Sequence, residues 1–388
     1  MTIADPVALS QTLIRCPSVT PADGGALAVL EAALKPLGFS CHRLRFAADG
    51  SEAVENLYAR IGTQGPNFCF AGHTDVVPPG DAHLWRHDPF GGLIENGTLF
   101  GRGAADMKSA IACFVAAASR YLGSAKPYGS ISLLITGDEE GIAINGTAKM
   151  LDWLAQNGER LDHCLVGEPT STMHAGDTIK IGRRGSMNTR VIVRGTQGHV
   201  AYPGQAANPL PAMAALVSRL SSVVLDSGTA HFDPSTLAFT TVDTGNVATN
   251  VIPAAVKAGF NIRFTDSHTP DTLKARIGQT IAAIGKEFGC QIETVFQVSG
   301  VSFLTAPGAF TELLANAGQK ITGRRPQYST SGGTSDAQFI KDHCPVAELG
   351  LPNATMHKAN ECATLEDIGL LADIYTEILD SYFANTPR

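Results

Sequence analysis

At 388 residues the chain exceeds one typical domain, so two are expected. Hydrophobic residues make up 44% and charged residues 17%, the composition of a globular enzyme with a full core. The net charge of −7, with no basic stripe, argues against nucleic acid as a partner, and an anionic ligand needs locally placed arginines.

Residues 5–38 read as a helix, a Pro/Thr-rich break at 17–23, and a second helix from Gly25 to Leu37 capped by Gly38. Strands are expected at 56–61 and 67–71. The Ala-rich segment Met107–Leu122 reads as a helix, 130–136 as a buried strand, Gly146–Asn157 as a helix and Asp162–Val166 as a short strand. Strands alternating with helices imply an α/β sheet with helices on both faces. The pattern then changes. Strand Ser186–Arg194, helix Asn208–Leu225, strands Thr236–Val242 and Val256–Thr265, helix Pro270–Phe288 and strand Gln291–Gln297 follow in the order β-α-β-β-α-β. That order is the ferredoxin-like split unit, inserted at 182–299. The α/β pattern resumes with a helix at 309–318, a Gly/Ser/Thr loop at 329–335, a strand near 345–349 and a closing helix at 366–384. The expected domains are therefore 1–181 with 300–388, and 182–299 between them.

Met1-Thr2-Ile3-Ala4-Asp5-Pro6 shows no basic patch followed by an apolar core, so no leader peptide is expected. No apolar run approaches the about 18 residues of a membrane span. The eight cysteines are scattered without a Cys-x-x-Cys pair, and several sit in apolar runs. They read as buried free thiols in a reducing cytoplasm rather than as zinc ligands.

Chemistry-bearing residues recur where elements end. Phe68-Cys69-Phe70-Ala71-Gly72 runs directly into His73-Thr74-Asp75. In open α/β sheets functional groups gather beyond the carboxyl ends of strands. Asp75 is placed to accept the other ring N–H of His73, as a metal-bound histidine requires. Asp106 follows the turn Gly101-Arg102-Gly103 and opens a helix, where it could also serve as an N-cap. Ile131–Ile135 leads into Gly137-Asp138-Glu139-Glu140-Gly141, and Leu165-Val166 into Gly167-Glu168-Pro169. Adjacent carboxylates repel, so one Glu can face a metal while its neighbour faces the water. Asn353-Ala354-Thr355-Met356-His357 supplies the second isolated histidine. Each group alone admits an ordinary reading as a solvated loop. Together, two histidines and three carboxylates form an N/O donor set suited to zinc, cobalt or manganese. Five ligands suit two metals if one carboxylate bridges.

These residues resemble the M20 group of co-catalytic zinc aminoacylases and peptidases over essentially the full length. The general motifs are His73-Thr74-Asp75-Val76-Val77-Pro78, Gly101-Arg102-Gly103 with Asp106-Met107-Lys108, Asp138-Glu139-Glu140-Gly141 and Gly167-Glu168-Pro169. Further motifs surround substrate: Gly182-Arg183-Arg184-Gly185-Ser186, Gln197-Gly198-His199-Val200-Ala201-Tyr202-Pro203, Ser329 to Asp336 and Asn353 to Lys358. The resemblance implies a zinc-peptidase-like catalytic domain with a mixed sheet flanked by helices, plus an inserted dimerisation or lid domain. It implies two Zn²⁺ per subunit, with Co²⁺ able to substitute. Asp106 would bridge them, His73 and Glu168 would complete one site, and Glu140 and His357 the other. Glu139 would be the general base and Asp75 would orient His73. A cis peptide would follow Asp106. His199 would donate to the oxyanion from the partner subunit of a homodimer, with Asn250 beside it.

The implied substrate is a small anionic N-succinyl amino acid. Arg183 and Arg263 can clamp carboxylates, and Thr330, Ser331, Gly332 and Gly333 offer hydroxyls and backbone N–H groups for an anion. Tyr202 and Asn353 complete the contacts implied by the motifs. Another M20 deacylase, such as an acetylornithine deacetylase or an N-acyl amino-acid amidohydrolase, keeps the metal set but changes the substrate loops. A serine hydrolase lacks its Gly-x-Ser-x-Gly elbow here, and no His-Glu-x-x-His helix is present.

Overall fold

Strand Asn67–His73 is buried at every residue, the pattern of a strand covered on both faces. The computed structural model describes residues 4–48, 50–124 and 129–384; Met1-Thr2-Ile3, read above for a leader, lie outside the described residues. The chain divides into two compact units. One takes the residues up to Ile181, Thr305–Ser329 and those from Ser335 onward; the other takes Gly182–Leu304 and Thr330–Thr334.

The first unit is built on an eight-stranded mixed sheet. Its order is Ser40–Phe46, Val54–Ile61, Ser130–Thr136, Asn67–His73, His163–Val166, Val346–Glu348, Thr178–Lys180 and Gln327–Ser329. The four strands from Ser130–Thr136 to Val346–Glu348 run parallel. Phe70 stacks on Phe114 of helix Lys108–Ser124 at 4.4 Å and meets Tyr375 of helix Leu365–Ala384 edge-on. Each such fully buried ring contributes about 1.5–3 kcal/mol. Register links Tyr58, Leu134 and Ala71, which puts Tyr58 on the opposite face. There it meets Trp153 of helix Thr147–Gln156. Helices therefore cover both faces, as the alternating pattern implies.

The second unit is a four-stranded antiparallel sheet in the order Thr236–Asp243, Ala255–Phe264, Gly185–Arg194 and Ile292–Gly300. Helices Leu210–Ser221 and Pro270–Phe288 pack over a core that includes Met187, Val191, Leu216, Phe260, Phe264 and Ile277. Alternation sets this face: Val256, Ala258, Phe260, Ile262 and Phe264 are buried every second residue.

Several elements differ from the sequence expectations. The helix expected from Gly25 is α-helical over Ala26–Leu34, then tightens to a 3₁₀ turn at Lys35–Leu37, where Pro36 lacks the N–H to continue. Gly38 caps it at φ 97°. The helix expected at Asn208–Leu225 is confined to Leu210–Ser221. Ser40–Phe46 is an edge strand that was not expected. All eight cysteines are unpaired, and Cys16, Cys69, Cys113, Cys164 and Cys344 are buried. Among the described residues no helix is long and apolar enough to cross a membrane.

Candidate metal centre and active site

The carboxyl ends of the central parallel strands converge. Asn67–His73 ends on His73, Ser130–Thr136 leads to Glu139 and Glu140, and His163–Val166 leads to Glu168. Two glycines make room for the residue after Asp106. A Cβ on Gly72 would sit 2.3 Å from Met107 Cε, and one on Gly167 would sit 2.7 Å from the same atom. The peptide between Asp106 and Met107 is cis, as the resemblance implies.

Asp106 stands between the two histidines. Its Oδ1 lies 3.1 Å from His73 Nε2 and its Oδ2 lies 3.2 Å from His357 Nε2. It therefore does not act as a helix N-cap. Glu140 Oε1 is 2.7 Å from His357 Nε2, and Glu168 Oε1 is 3.5 Å from His73 Nε2. One ligand atom from each of His73, Asp106 and Glu140 lies within 4.8 Å of the others, and the same holds for His73, Glu139 and Glu168. Glu168 Oε1 is buried and, among the described residues, has no hydrogen bond beyond the long 3.5 Å approach of His73 Nε2. A buried carboxylate oxygen so weakly satisfied among other carboxylates is costly unless a cation reaches it. The donor set, two imidazoles and carboxylates without sulfur, fits a pair of divalent cations.

Asp75 holds this site differently from the expectation. His73 Nδ1 is 2.9 Å from the Asp75 backbone oxygen, whereas the Asp75 carboxylate is 3.7 Å away. That carboxylate instead accepts from Thr20 Oγ1 at 2.7 Å and from the backbone N–H groups of Glu139 and Glu140 at 3.3 and 3.0 Å. The tautomer of His73 is thus set by a backbone carbonyl. The Asp75 side chain sets the loop that carries the two glutamates.

Crowding shapes the charges. Burial and the Glu168 charge push the Glu139 carboxyl well above the ordinary range. Burial and Asp106 raise Glu168 to about 6. Hydrogen bonds to Asp106 and Glu140 raise His357 to about 10. Burial opposes protonation of His73, but Asp106 and Glu168 outweigh it and hold its pKa well above the usual imidazole value. Burial favours the neutral form of Asp106, yet the two histidines hold its pKa below the usual carboxylate range. Asp336, which accepts from Thr147 Oγ1 at 2.7 Å, is raised to about 7 chiefly by burial.

The remaining expected residues fall elsewhere. Asn353, in the first unit, donates its backbone N–H to Ser171 O at 3.0 Å. In the second unit, His199 lies on the two-residue strand Gly198–His199, paired with Val251–Ile252. His199 is exposed, Tyr202 lies beside it with ring centroids 5.8 Å apart, and Asn250 O accepts from Val200 N. His199 Nδ1 accepts from the backbone N–H of Ala201 at 3.0 Å, so the neutral ring carries its proton on Nε2. Arg183 is buried and donates to Gly333 O at 3.2 Å. A Cβ on Gly332, at φ 108°, would meet Arg183 Nη1 at 2.7 Å. Thr330 Oγ1 donates to His231 O at 2.5 Å, and Ser331 lies in the same loop. Arg263 is half-buried, with Nη1 buried and without a hydrogen-bond partner among the described residues; burial and the charges of Arg184 and Arg183 lower its pKa.

Sequence reading missed Glu361 and Asn360. Glu361 is fully buried; its Oε1 accepts from the backbone N–H groups of Gly103, Ala105 and Asp106, and its Oε2 from Arg102 Nη1. The adjoining Asn360 grips the 84–86 segment. Their partners are mostly backbone groups far away in sequence, so no side-chain pattern signals them.

A mixed α/β sheet that gathers imidazoles and carboxylates at its strand ends defines a hydrolase with a candidate metal centre. The sequence profile described as Peptidase family M20/M25/M40 matches residues 69–381. The chain belongs to this family. It is similar to the succinyl-diaminopimelate desuccinylase of Rhodospirillum centenum, 57% identical over 386 residues that cover 99% of each chain. It is likewise 57% identical to the succinyl-diaminopimelate desuccinylase of Parvibaculum lavamentivorans, over 98% of this chain and 96% of that one. Its fold is that of the aminopeptidase PepT of Bacillus cereus, with TM-score 0.82 at 21% identity over 98% and 99% of the two chains. An M20 metallo-carboxypeptidase of Sulfolobus solfataricus gives TM-score 0.78 at 16% identity, again over 98% and 99%.

Proposed function

We propose that the chain is a dizinc amidohydrolase that converts N-succinyl-LL-2,6-diaminopimelate and water to succinate and LL-2,6-diaminopimelate. That reaction belongs to the biosynthesis of diaminopimelate and lysine. The observation that carries the reading is Asp106, whose two oxygens face His73 and His357. It sits in a chain 57% identical over nearly its whole length to proteins named for that reaction.

His73 and Glu168 would hold one cation, Glu140 and His357 the other, and Asp106 both. When bound, two divalent cations supply Lewis acidity toward the amide carbonyl and make water acidic near neutral pH. The N/O donors suit zinc, and cobalt shares that preference. Glu139 takes the proton from the attacking water as its oxygen bonds to the amide carbon. When the C–N bond breaks, Glu139 returns the proton to the leaving nitrogen. Its raised pKa, caused by burial and Glu168, suits it to hold that proton in between. His199 Nε2–H donates to the oxyanion, and Asn250 and Tyr202 line the approach to it. Arg183, Arg263 and the Thr330–Gly333 loop hold the succinyl carboxylate, and Asn353 contacts the amino-acid part.

The second unit serves as the dimerisation and lid domain, and the working enzyme is a homodimer in which His199 and Asn250 act across the interface. Exposed Val200, Tyr202 and Val242 support this, since they are apolar groups on the same unit. A cytoplasmic location belongs to the same reading, supported by the unpaired thiols.

The deciding experiment follows succinate release from the succinyl substrate by metal-stripped protein, before and after zinc is added, with N-acetylornithine as comparator. Zinc-dependent turnover of the succinyl substrate alone is expected. Turnover of the comparator instead would keep the metal chemistry and overturn the substrate assignment.

A further inference from the structure

Two of the segments that supply candidate ligands are far apart in sequence. One is Gly103–Asp106; the other contains His357. They lie about 250 residues apart in sequence, the separation of Asp106 and Glu361 being 255. Each must be held in register with the other if Asp106 and His357 are to face the same cation. His357 and Asn360 both have positive φ, 60° and 61°. For non-glycine residues this region is sparsely populated and needs support from the surroundings.

We infer that Glu361, assisted by Asn360, is the positioning residue that registers these two loops. The inference rests on the reading of Asp106 and His357 as metal ligands. Glu361 is fully buried. Its Oε1 accepts from the backbone N–H groups of Gly103, Ala105 and Asp106 at 3.2, 3.0 and 3.0 Å. Three converging N–H groups make a concave anion nest, and here the anion is supplied by the chain itself. Its Oε2 accepts from Arg102 Nη1 at 2.6 Å. Arg102 is in turn buried, donates to Lys358 O at 3.3 Å and Pro78 O at 3.4 Å, and lies 5.1 Å over the Trp85 ring. The guanidinium thus touches the segment after His73, the segment after His357 and the carboxylate between them.

Asn360 extends the same clamp outward. Its Oδ1 accepts from Arg86 N at 2.6 Å and its Nδ2 donates to Leu84 O at 2.9 Å. Two successive side chains therefore tie the His357 loop to two separate stretches of the chain. A structural role alone could be met by an apolar pair at similar volume. A carboxylate aimed at the N–H of Asp106 itself does more. It fixes the backbone of the residue whose two oxygens face both histidines.

The test is Glu361→Gln, which keeps the volume. One amide oxygen can still accept from the nest, but the amide nitrogen then points a donor at the Arg102 donor. Cobalt and zinc affinities are measured by chelator competition, together with the visible spectrum of the cobalt form and the unfolding midpoint of the metal-free protein. Expected are a metal affinity weakened by about ten- to a hundred-fold and an altered cobalt band, alongside a lowered metal-free midpoint because buried Arg102 loses its charged partner. Affinities and spectrum identical to the parent would overturn the inference. So would a weakened affinity with the parental cobalt spectrum, which general destabilisation alone would give. If Glu361→Gln does not fold, Asn360→Ala, at a more exposed position, makes the same comparison, with weakened binding of one metal expected and parental binding overturning the clamp. A parent protein that takes up no metal would instead sink the reading of the centre, so the two failures are distinguishable.

Discussion

Asp75 Oδ2 accepts the backbone N–H of Glu140 at 3.0 Å, and Asp75 Oδ1 accepts that of Glu139 at 3.3 Å. One buried carboxylate therefore sets the angle at which two adjacent glutamates leave the sheet. Glu140 points at His357, and Glu139 joins His73 and Glu168.

Replacing Asp75 with Ala leaves those two N–H groups without their acceptor. The expected destabilisation is about 1–3 kcal/mol per unsatisfied group. The expected loss in kcat is about 100-fold, because Glu139 shifts relative to the reacting carbon. KM stays within a few-fold of the parent. Steady-state kinetics and thermal unfolding check this; an unchanged kcat would confine Asp75 to a packing role.

If Glu139 is the proton acceptor, Glu139→Gln removes it but keeps the shape. Turnover is expected to fall by about 10²–10⁴-fold while the metal content measured by mass spectrometry stays at the parental value. Near-parental turnover would exclude Glu139 as the base. Loss of metal along with turnover would make it a ligand.

Part of this candidate centre was legible because His73, Glu140 and Glu168 stand just beyond the end of an apolar strand pattern. Phe68-Cys69-Phe70-Ala71-Gly72 is uniformly apolar and His73 is not; the same break marks Glu139 and Glu168. Ser40–Phe46 was illegible because it is an edge strand. Its apolar alternation is confined to Leu44 and Phe46, among exposed His42, Arg43 and Arg45. Glu361 was illegible for another reason. It bonds to backbone N–H groups, which every residue has, so nothing at positions 103–106 announces a partner 255 residues away. The Asp75 carboxylate shows the same limit. Sequence spacing allowed it to reach His73, but the backbone carbonyl of Asp75 is closer and takes the ring nitrogen instead.

Arg263 carries a buried guanidinium nitrogen with no hydrogen-bond partner among the described residues. If it receives the succinyl carboxylate, Arg263→Met removes a charge-assisted hydrogen bond worth about 1.5–3 kcal/mol. KM for the succinyl substrate is then expected to rise by about ten- to a hundred-fold. An N-acyl analogue without the distal carboxylate discriminates the causes, since its kcat/KM stays near the parental value. Equal losses on both substrates would place Arg263 in general folding of its unit.

The metal-free centre holds extra protons, and this fixes how its stability depends on pH. His357 rises from 6.5 to about 10 through its bonds to Asp106 and Glu140. Such a base contributes stability that is complete below 6.5 and is lost as pH climbs through about 10. Glu168, raised from 4.5 to about 6, and Asp336, raised from 3.8 to about 7, are displaced mainly by burial and act in the same direction. Each binds its proton more tightly when folded, so stability declines as each deprotonates. The unfolding midpoint of metal-free protein is therefore expected to fall from about pH 5 to about pH 9. Metal must displace the imidazole protons, so binding releases protons and tightens over the same interval. Midpoints with and without zinc, plus proton release in weak buffer, check both halves. A metal-free midpoint that climbs between about pH 6.5 and about pH 9 would contradict the proton-holding centre.

His199 offers a test of whether two copies of the chain share an active site. Its Nδ1 is engaged by the backbone N–H of Ala201, so the neutral ring has only Nε2–H to donate. His199→Ala is expected to lower kcat by about 10²–10³-fold, the usual loss for one oxyanion donor. Zinc content stays unchanged. If the donor acts across a dimer interface, a mixed dimer of His199→Ala with Glu139→Ala contains one site with both residues intact and one with neither. Verified mixed dimers should then regain up to about half the parental activity. If His199 serves its own chain, every site in the mixed dimer lacks one of the two groups and no activity returns. The same experiment therefore distinguishes a catalytic dimer from two independent subunits, through a gain of activity that neither parent variant possesses.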